Sequence, residues 1–283
     1  MDSIICQEKK ILLCNIEVNY KIAGQGPAFA DSAFVAEATS AKEAATAGKS
    51  AVLILHGWGS KSDRWVKVAE LLSQNNFSVV VPDLPGFGKS GTPSFAWSTE
   101  DYCNFVDRFV QSIGLENFYL LGHSFGGGMA AVYASKFPSR VKKLVLFASA
   151  VFRRKTARKT IFKVVASVFR VFSFLPLYGL FRKAFYKFVV RKSDYPYTSG
   201  VMKETYKRVV GSDLSLHLSS IQMPTLIIWG DRDDVIPIAD AYLIQQKIKN
   251  SKVAIIPGGD HDIEQHMPDQ LAKYITNFCY SNK

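Results

Sequence analysis

A serine with glycines two residues to either side, in Leu120-Leu121-Gly122-His123-Ser124-Phe125-Gly126-Gly127, is placed to act as a nucleophile. It follows the short apolar run Phe118 to Leu121 and precedes a small-residue helical pattern from Gly126 to Ala134. So sharp a passage from strand to helix leaves no room for side chains at the flanking positions. It also forces Ser124 into a strained backbone and lifts its hydroxyl over the end of a sheet. A serine hydroxyl is a weak nucleophile unaided, so the chain must also supply a base and a stabiliser of developing charge.

Three further stretches supply these. His56-Gly57-Trp58-Gly59 follows the apolar run Ala51 to Leu55, and a glycine-rich turn there aims the Trp58 backbone N–H at a substrate oxygen. Together with the N–H of Phe125, at the start of a helix, it would form an oxyanion hole. Gly230-Asp231-Arg232-Asp233-Asp234-Val235-Ile236-Pro237 follows the run ending at Trp229 and offers three aspartates as the partner of a base. His261 follows Lys252 to Ile256 in Pro257-Gly258-Gly259-Asp260-His261. His56 and His123 read as structural supports of their turns, and His217 as incidental. Reading His261, Glu264 and His266 as a metal cluster fails on spacing, which is not that of a helical zinc motif. Neither a metal nor a cofactor is expected.

The elements that must position these residues alternate along the chain. A strand pair is expected at about Ile11 to Ile22, and strands at Ala51–Leu55, Ser78–Val81, Phe118–Leu121, Val141–Phe147, Thr225–Trp229 and Lys252–Ile256. Helical patterns run from Asp63 to Gln74, Ser98 to Ile113, after Ser124, Ala239 to Lys247, and to Cys279. Continuous apolar strands separated by helices predict a mostly parallel, doubly wound α/β sheet covered on both faces.

In these motifs, and in the order Ser124, Asp233, His261, the sequence resembles the α/β-hydrolases over nearly its whole length, the segment rich in alanine excepted. Val81-Pro82-Asp83-Leu84-Pro85-Gly86-Phe87-Gly88-Lys89-Ser90 is similar to the family loop that shapes the site, and Asp83 is given no catalytic role. The resemblance selects Asp233, three residues after the glycine and four before the proline, over Asp231 and Asp234. It implies an α/β-hydrolase fold with an inserted helical cap and nucleophilic acyl transfer by Ser124, His261 and Asp233. Serine at the elbow argues against dehalogenase and epoxide hydrolase chemistry. The chain departs from the family twice: Asp260 stands where glycine or alanine is usual before the histidine, and His266 where glutamate is frequent.

Composition bounds the rest. The 283 residues suffice for one large α/β domain, expected as a core of residues 1–148 and 224–283 around a cap of residues 149–223. Residues 27–49, rich in Ala, Ser, Thr and Gly, read as a flexible insertion without chemistry. The net charge is +11, and residues 151–192 hold twelve Lys or Arg and no Asp or Glu, leaving about −1 for the remainder. Lys155, Lys159, Lys163 and Arg170 share a helical face opposite Val164, Val168, Val171 and Leu175, which predicts basic amphipathic helices. A solvated face explains them without a partner. As a binding surface they suit an anionic membrane surface or an acidic acyl carrier, and no nucleic-acid motif accompanies them. Four scattered cysteines, no signal peptide and no uncharged run long enough to span a bilayer point to the cytoplasm, with peripheral membrane contact as an alternative. The expected activity is hydrolysis of a small-molecule carboxylic ester with a largely apolar acyl group. The alternatives are a carbon–carbon bond hydrolase, an acyl-carrier-protein methyl esterase and a hydrolase-fold ligand receptor.

Overall fold

The computed structural model describes residues 6–24, 50–153 and 199–281. The basic helices expected from 155 to 191 and the insertion at 27–49 lie outside the described residues. The strands are β1 (Gln7–Leu13), β2 (Ile16–Ala23), β3 (Ser50–Leu55), β4 (Phe77–Pro82), β5 (Phe118–His123), β6 (Val141–Phe147), β7 (Thr225–Gly230) and β8 (Ser251–Ile256). They form one sheet in the order β1-β2-β4-β3-β5-β6-β7-β8. β4, β3, β5, β6, β7 and β8 run parallel, and β2 pairs antiparallel with both β1 and β4.

The parallel strands are the apolar runs of the sequence, and β3, β4 and β7 are buried almost end to end because helices cover both faces. The chain passes from β3 to β4 on one side and returns to β5 on the other. That reversal opens a crevice beyond the carboxyl ends of β3 and β5, the usual place for a ligand in an open α/β sheet. The N-terminal pair is longer than the expected Ile11–Ile22. Its start, Glu8-Lys9-Lys10, is largely exposed, so burial leaves little apolar signal there. Its two-residue turn, Cys14-Asn15, has φ of 52° and 62°, the positive values that a tight hairpin turn requires.

Among the described residues the helices are α1 (Val66–Gln74), α2 (Thr99–Ser112), α3 (Phe125–Lys136), α4 (Gly200–Gly211), α5 (Ala239–Lys247), α6 (Ile263–His266) and α7 (Pro268–Tyr280). The helix expected from Asp63 begins instead as a separate 3₁₀ turn, Ser62–Trp65, with α1 following. α2 opens on a capping box in which the Ser98 hydroxyl and the Asp101 carboxylate each take the other's backbone N–H. Its buried face, Tyr102, Phe105, Val106 and Phe109, follows the helical period, each side chain adding about 1.5–3 kcal/mol by burial. α3 is buried from Phe125 to Ala134, and its small residues let it press against the sheet.

Candidate active site

The carboxyl ends of β3, β5, β7 and β8 carry the four motifs, and the parallel register brings them to one edge of the sheet. Ser124 joins β5 to α3 with φ 52° and ψ −115°, a strained conformation for a residue with a side chain. Its backbone is held from several directions. The N–H donates to the Phe147 carbonyl at 3.0 Å, and its own carbonyl accepts from Ala150 at 2.9 Å, Gly127 at 3.0 Å and Gly128 at 3.1 Å. A Cβ on Gly122 would stand 2.3 Å from the Gly126 carbonyl oxygen, and one on Gly126 would stand 2.2 Å from that of Leu55. Both positions therefore require glycine.

His261 lies beyond β8 and Asp233 beyond β7. The His261 Nδ1–H donates to Asp233 Oδ2 at 2.8 Å, and the Asp233 side chain has no exposed surface. Asp233 Oδ1 accepts the N–H groups of Val235 and Ile236, each at 2.9 Å, so the carboxylate is fixed by its own turn. The bond at Nδ1 leaves Nε2 as the unprotonated nitrogen of a neutral ring, the form a general base needs. Of the other aspartates, Asp231 ties the two loops together by accepting the Gly258 N–H at 2.7 Å, and Asp234 is exposed. Among the described residues no Ser124 Oγ–His261 Nε2 hydrogen bond is formed. Such contacts are often long in a resting enzyme and tighten with substrate.

The Trp58 and Phe125 rings meet edge to face with centroids 5.4 Å apart. Phe125 opens α3, where an N–H has no acceptor within the helix. A Cβ on Gly57 would lie 3.3 Å from the Ser124 Cβ, so the turn carrying Trp58 runs directly against the serine. With Ser124 these two residues line a cavity of about 300 Å³ whose remaining walls include Phe152, Tyr206, Val209, Leu214 and Ile236. A larger cavity of about 450 Å³ lies elsewhere, between the β1–β2 turn and α2, and is lined by none of Ser124, Asp233, His261, Trp58 and Phe125.

The remaining titratable groups have other partners. His56 is fully buried, its Nδ1–H donating to the Gly57 carbonyl at 2.8 Å and its Nε2 accepting from Leu84 at 2.9 Å. Burial pushes it down to about 4, so it is neutral and shapes the turn. Asp83 is buried and accepts from Ser62 N–H at 2.6 Å, Lys89 N–H at 2.9 Å and Asn19 Nδ2 at 3.0 Å, which locks its loop to β2 and the 3₁₀ turn. His123, held neutral by burial first and by neighbouring His261 next, stacks on Phe147 at 4.5 Å. Its Nε2–H donates to the His261 carbonyl at 3.0 Å. His217 meets the Ser135 hydroxyl at 3.2 Å.

His261, Glu264 and His266 do not converge: they turn to Asp233, Arg64 and Asp260 respectively. Among the described residues no group of three His, Cys, Asp or Glu is gathered as metal ligands. Two features lay beyond sequence reasoning. One is the reach of His123 to the base loop, and the other is the meeting of Arg64 with Glu264, which sits at 1% exposure although 200 residues separate the two. No local pattern marks either contact.

Comparison with known proteins bears on the family and the fold. The profile of the family described as alpha/beta hydrolase fold matches residues 50–176. Monoacylglycerol lipase abhd6-A of Xenopus laevis is 27% identical over 276 residues, covering 82% of this chain and 76% of that protein. A Synechocystis protein assigned by name to the non-heme chloroperoxidases is 30% identical over 250 residues, covering 80% of this chain and 90% of its own. The crystal structure of a bacterial membrane phospholipase A matches with a TM-score of 0.70 at 23% identity, over 97% of this chain and 86% of that one. At that identity the match shows the fold.

Proposed function

The chain belongs to the α/β-hydrolase fold family, and on that premise we propose that it is a serine hydrolase of lipid carboxylic esters working through an acyl-enzyme. The observations that carry the reading are the strained Ser124 at the end of β5 and a His261 whose Nδ1–H is committed to Asp233 and whose carbonyl is held by His123, the residue before the serine. In this mechanism His261 Nε2 takes the Ser124 hydroxyl proton as Oγ bonds to the ester carbonyl carbon. The Trp58 and Phe125 N–H groups receive the oxyanion. Asp233 stabilises the imidazolium, which gives its proton to the departing alcohol oxygen. Water then attacks the acyl group, His261 again takes the proton, and carboxylic acid leaves as Ser124 is restored.

The aromatic and aliphatic cavity supports an apolar acyl group, and the lipase named among the relatives supports a lipid ester. In this reading α4 belongs to the expected cap, and its Tyr206 and Val209 close the cavity from that side. No helix among the described residues is long and apolar enough to cross a membrane. Hydrolysis of p-nitrophenyl esters and of monoacylglycerols across acyl lengths tests the proposal. Turnover that rises with acyl length to an optimum supports it. An absence of turnover on every ester, with a carbon–carbon substrate cleaved instead, contradicts it.

A further inference from the structure

The loop that carries His261 is held at its two ends by different means. On the near side Gly258 N–H is bound to Asp231 and Arg232 N–H to the Gly259 carbonyl, which ties it to the β7 loop. On the far side one residue takes over. Arg64 Nη2 donates to Asp262 Oδ1 at 2.8 Å, and its Nε donates to Glu264 Oε1 at 3.2 Å. Its backbone carbonyl also accepts from the Gln265 side-chain amide. Arg64 thus grips three of the four residues that follow His261.

The anchor is itself fixed. Arg64 lies in the 3₁₀ turn just beyond His56-Gly57-Trp58-Gly59, where Ser62 N–H is held by buried Asp83 and the Trp65 ring packs 5.9 Å from that of His123. The grip is more than a surface ion pair. Glu264 is buried, its Oε2 has no hydrogen-bond partner, and the Arg64 guanidinium supplies the compensating charge. The other charged or titratable groups facing Glu264 are Asp262 and His261.

Resting on the serine-hydrolase reading, we propose that Arg64 is a positioning residue for the base: it sets where His261 stands relative to Ser124 and the Trp58 turn. Without the guanidinium, ionised Glu264 has no counter-charge and leaves its buried site, taking α6 and the base loop with it. Protonated Glu264 has no such drive, so the defect grows with pH.

The test measures kcat and KM on a soluble p-nitrophenyl ester, per active site titrated with a fluorophosphonate, at about pH 6 and about pH 9. Wild type is compared with Arg64→Met and with Arg64→Met/Glu264→Gln. A displacement of about 1 Å at a catalytic group lowers rate by up to roughly a hundredfold, so Arg64→Met should lose about ten- to a hundredfold in kcat with KM nearly unchanged. The loss should be larger at the higher pH and partly recovered in the double variant. A kcat per labelled site equal to wild type, or an equal loss at both pH values with no recovery, overturns the proposal. Should the methionine variant not fold, Arg64→Lys, which reaches one carboxylate in place of two, should show a smaller loss of the same pH dependence. Wild-type kcat for Arg64→Lys at both pH values overturns it equally. A wild type that neither labels nor turns over defeats the serine-hydrolase reading itself, and the clamp with it.

Discussion

Replacing Glu264 with glutamine should stabilise the folded chain, and should do so increasingly as pH rises. Burial, the dominant influence, pushes the Glu264 carboxyl up from its ordinary 4.5 to about 7, and the Arg64 guanidinium offsets only part of that. The folded state therefore keeps a proton that the unfolded chain releases between those two values. Below about 4.5 both states are protonated and the group contributes nothing. As pH climbs through this window stability falls, and above about 7 the full penalty of the buried charge, roughly 3 kcal/mol, is present. Glutamine does not titrate and its carbonyl still accepts from Arg64. The stability gap between Glu264→Gln and wild type should thus widen by roughly 3 kcal/mol between about pH 4.5 and about pH 8.5. For a chain of this size that is a relative shift in Tm of about 5 °C. Thermal unfolding followed by circular dichroism across that range reads it directly. A gap that stays constant or narrows with pH would refute the reasoning, because it would mean that Glu264 is solvated or fully compensated.

Three further outcomes follow from the packing. Gly126→Ala would drive a Cβ against the Leu55 and His56 carbonyl oxygens and should cost about 3 kcal/mol or more, seen as loss of soluble protein or a steep fall in Tm. Gly211→Ala, with no atom within 4 Å of its new methyl, should change Tm little. Val209→Trp would fill part of the cavity of about 300 Å³ beside Ser124, and should raise KM for long acyl esters while short ones are unaffected. Equal effects on every acyl length would place the acyl group elsewhere.

Much of the sheet was legible in the sequence because each parallel strand is a short apolar run bounded by turn residues, and burial on both faces makes that run continuous. The strand–turn–helix around Ser124 was legible for a related reason: Gly122 and Gly126 are required by close backbone approach, which sequence spacing records. The choice among Asp231, Asp233 and Asp234 was not legible in spacing alone. It depends on which carboxylate its own turn turns inward, and Asp231 is spent on Gly258. Contacts such as Arg64 with Glu264, or His123 with the His261 carbonyl, join segments far apart in the chain and leave no periodic trace. The 3₁₀ turn at Ser62–Trp65 escaped notice because its residues continue the helical apolar pattern of α1, and only the backbone distinguishes them.

The central claim is that Ser124 carries the acyl group, and mass spectrometry of the protein quenched during turnover of a p-nitrophenyl ester tests it most directly. The account predicts one acyl adduct, on the peptide containing Ser124, and neither adduct nor turnover in a folded Ser124→Ala variant. An adduct on another residue, or undiminished turnover in Ser124→Ala, would contradict it.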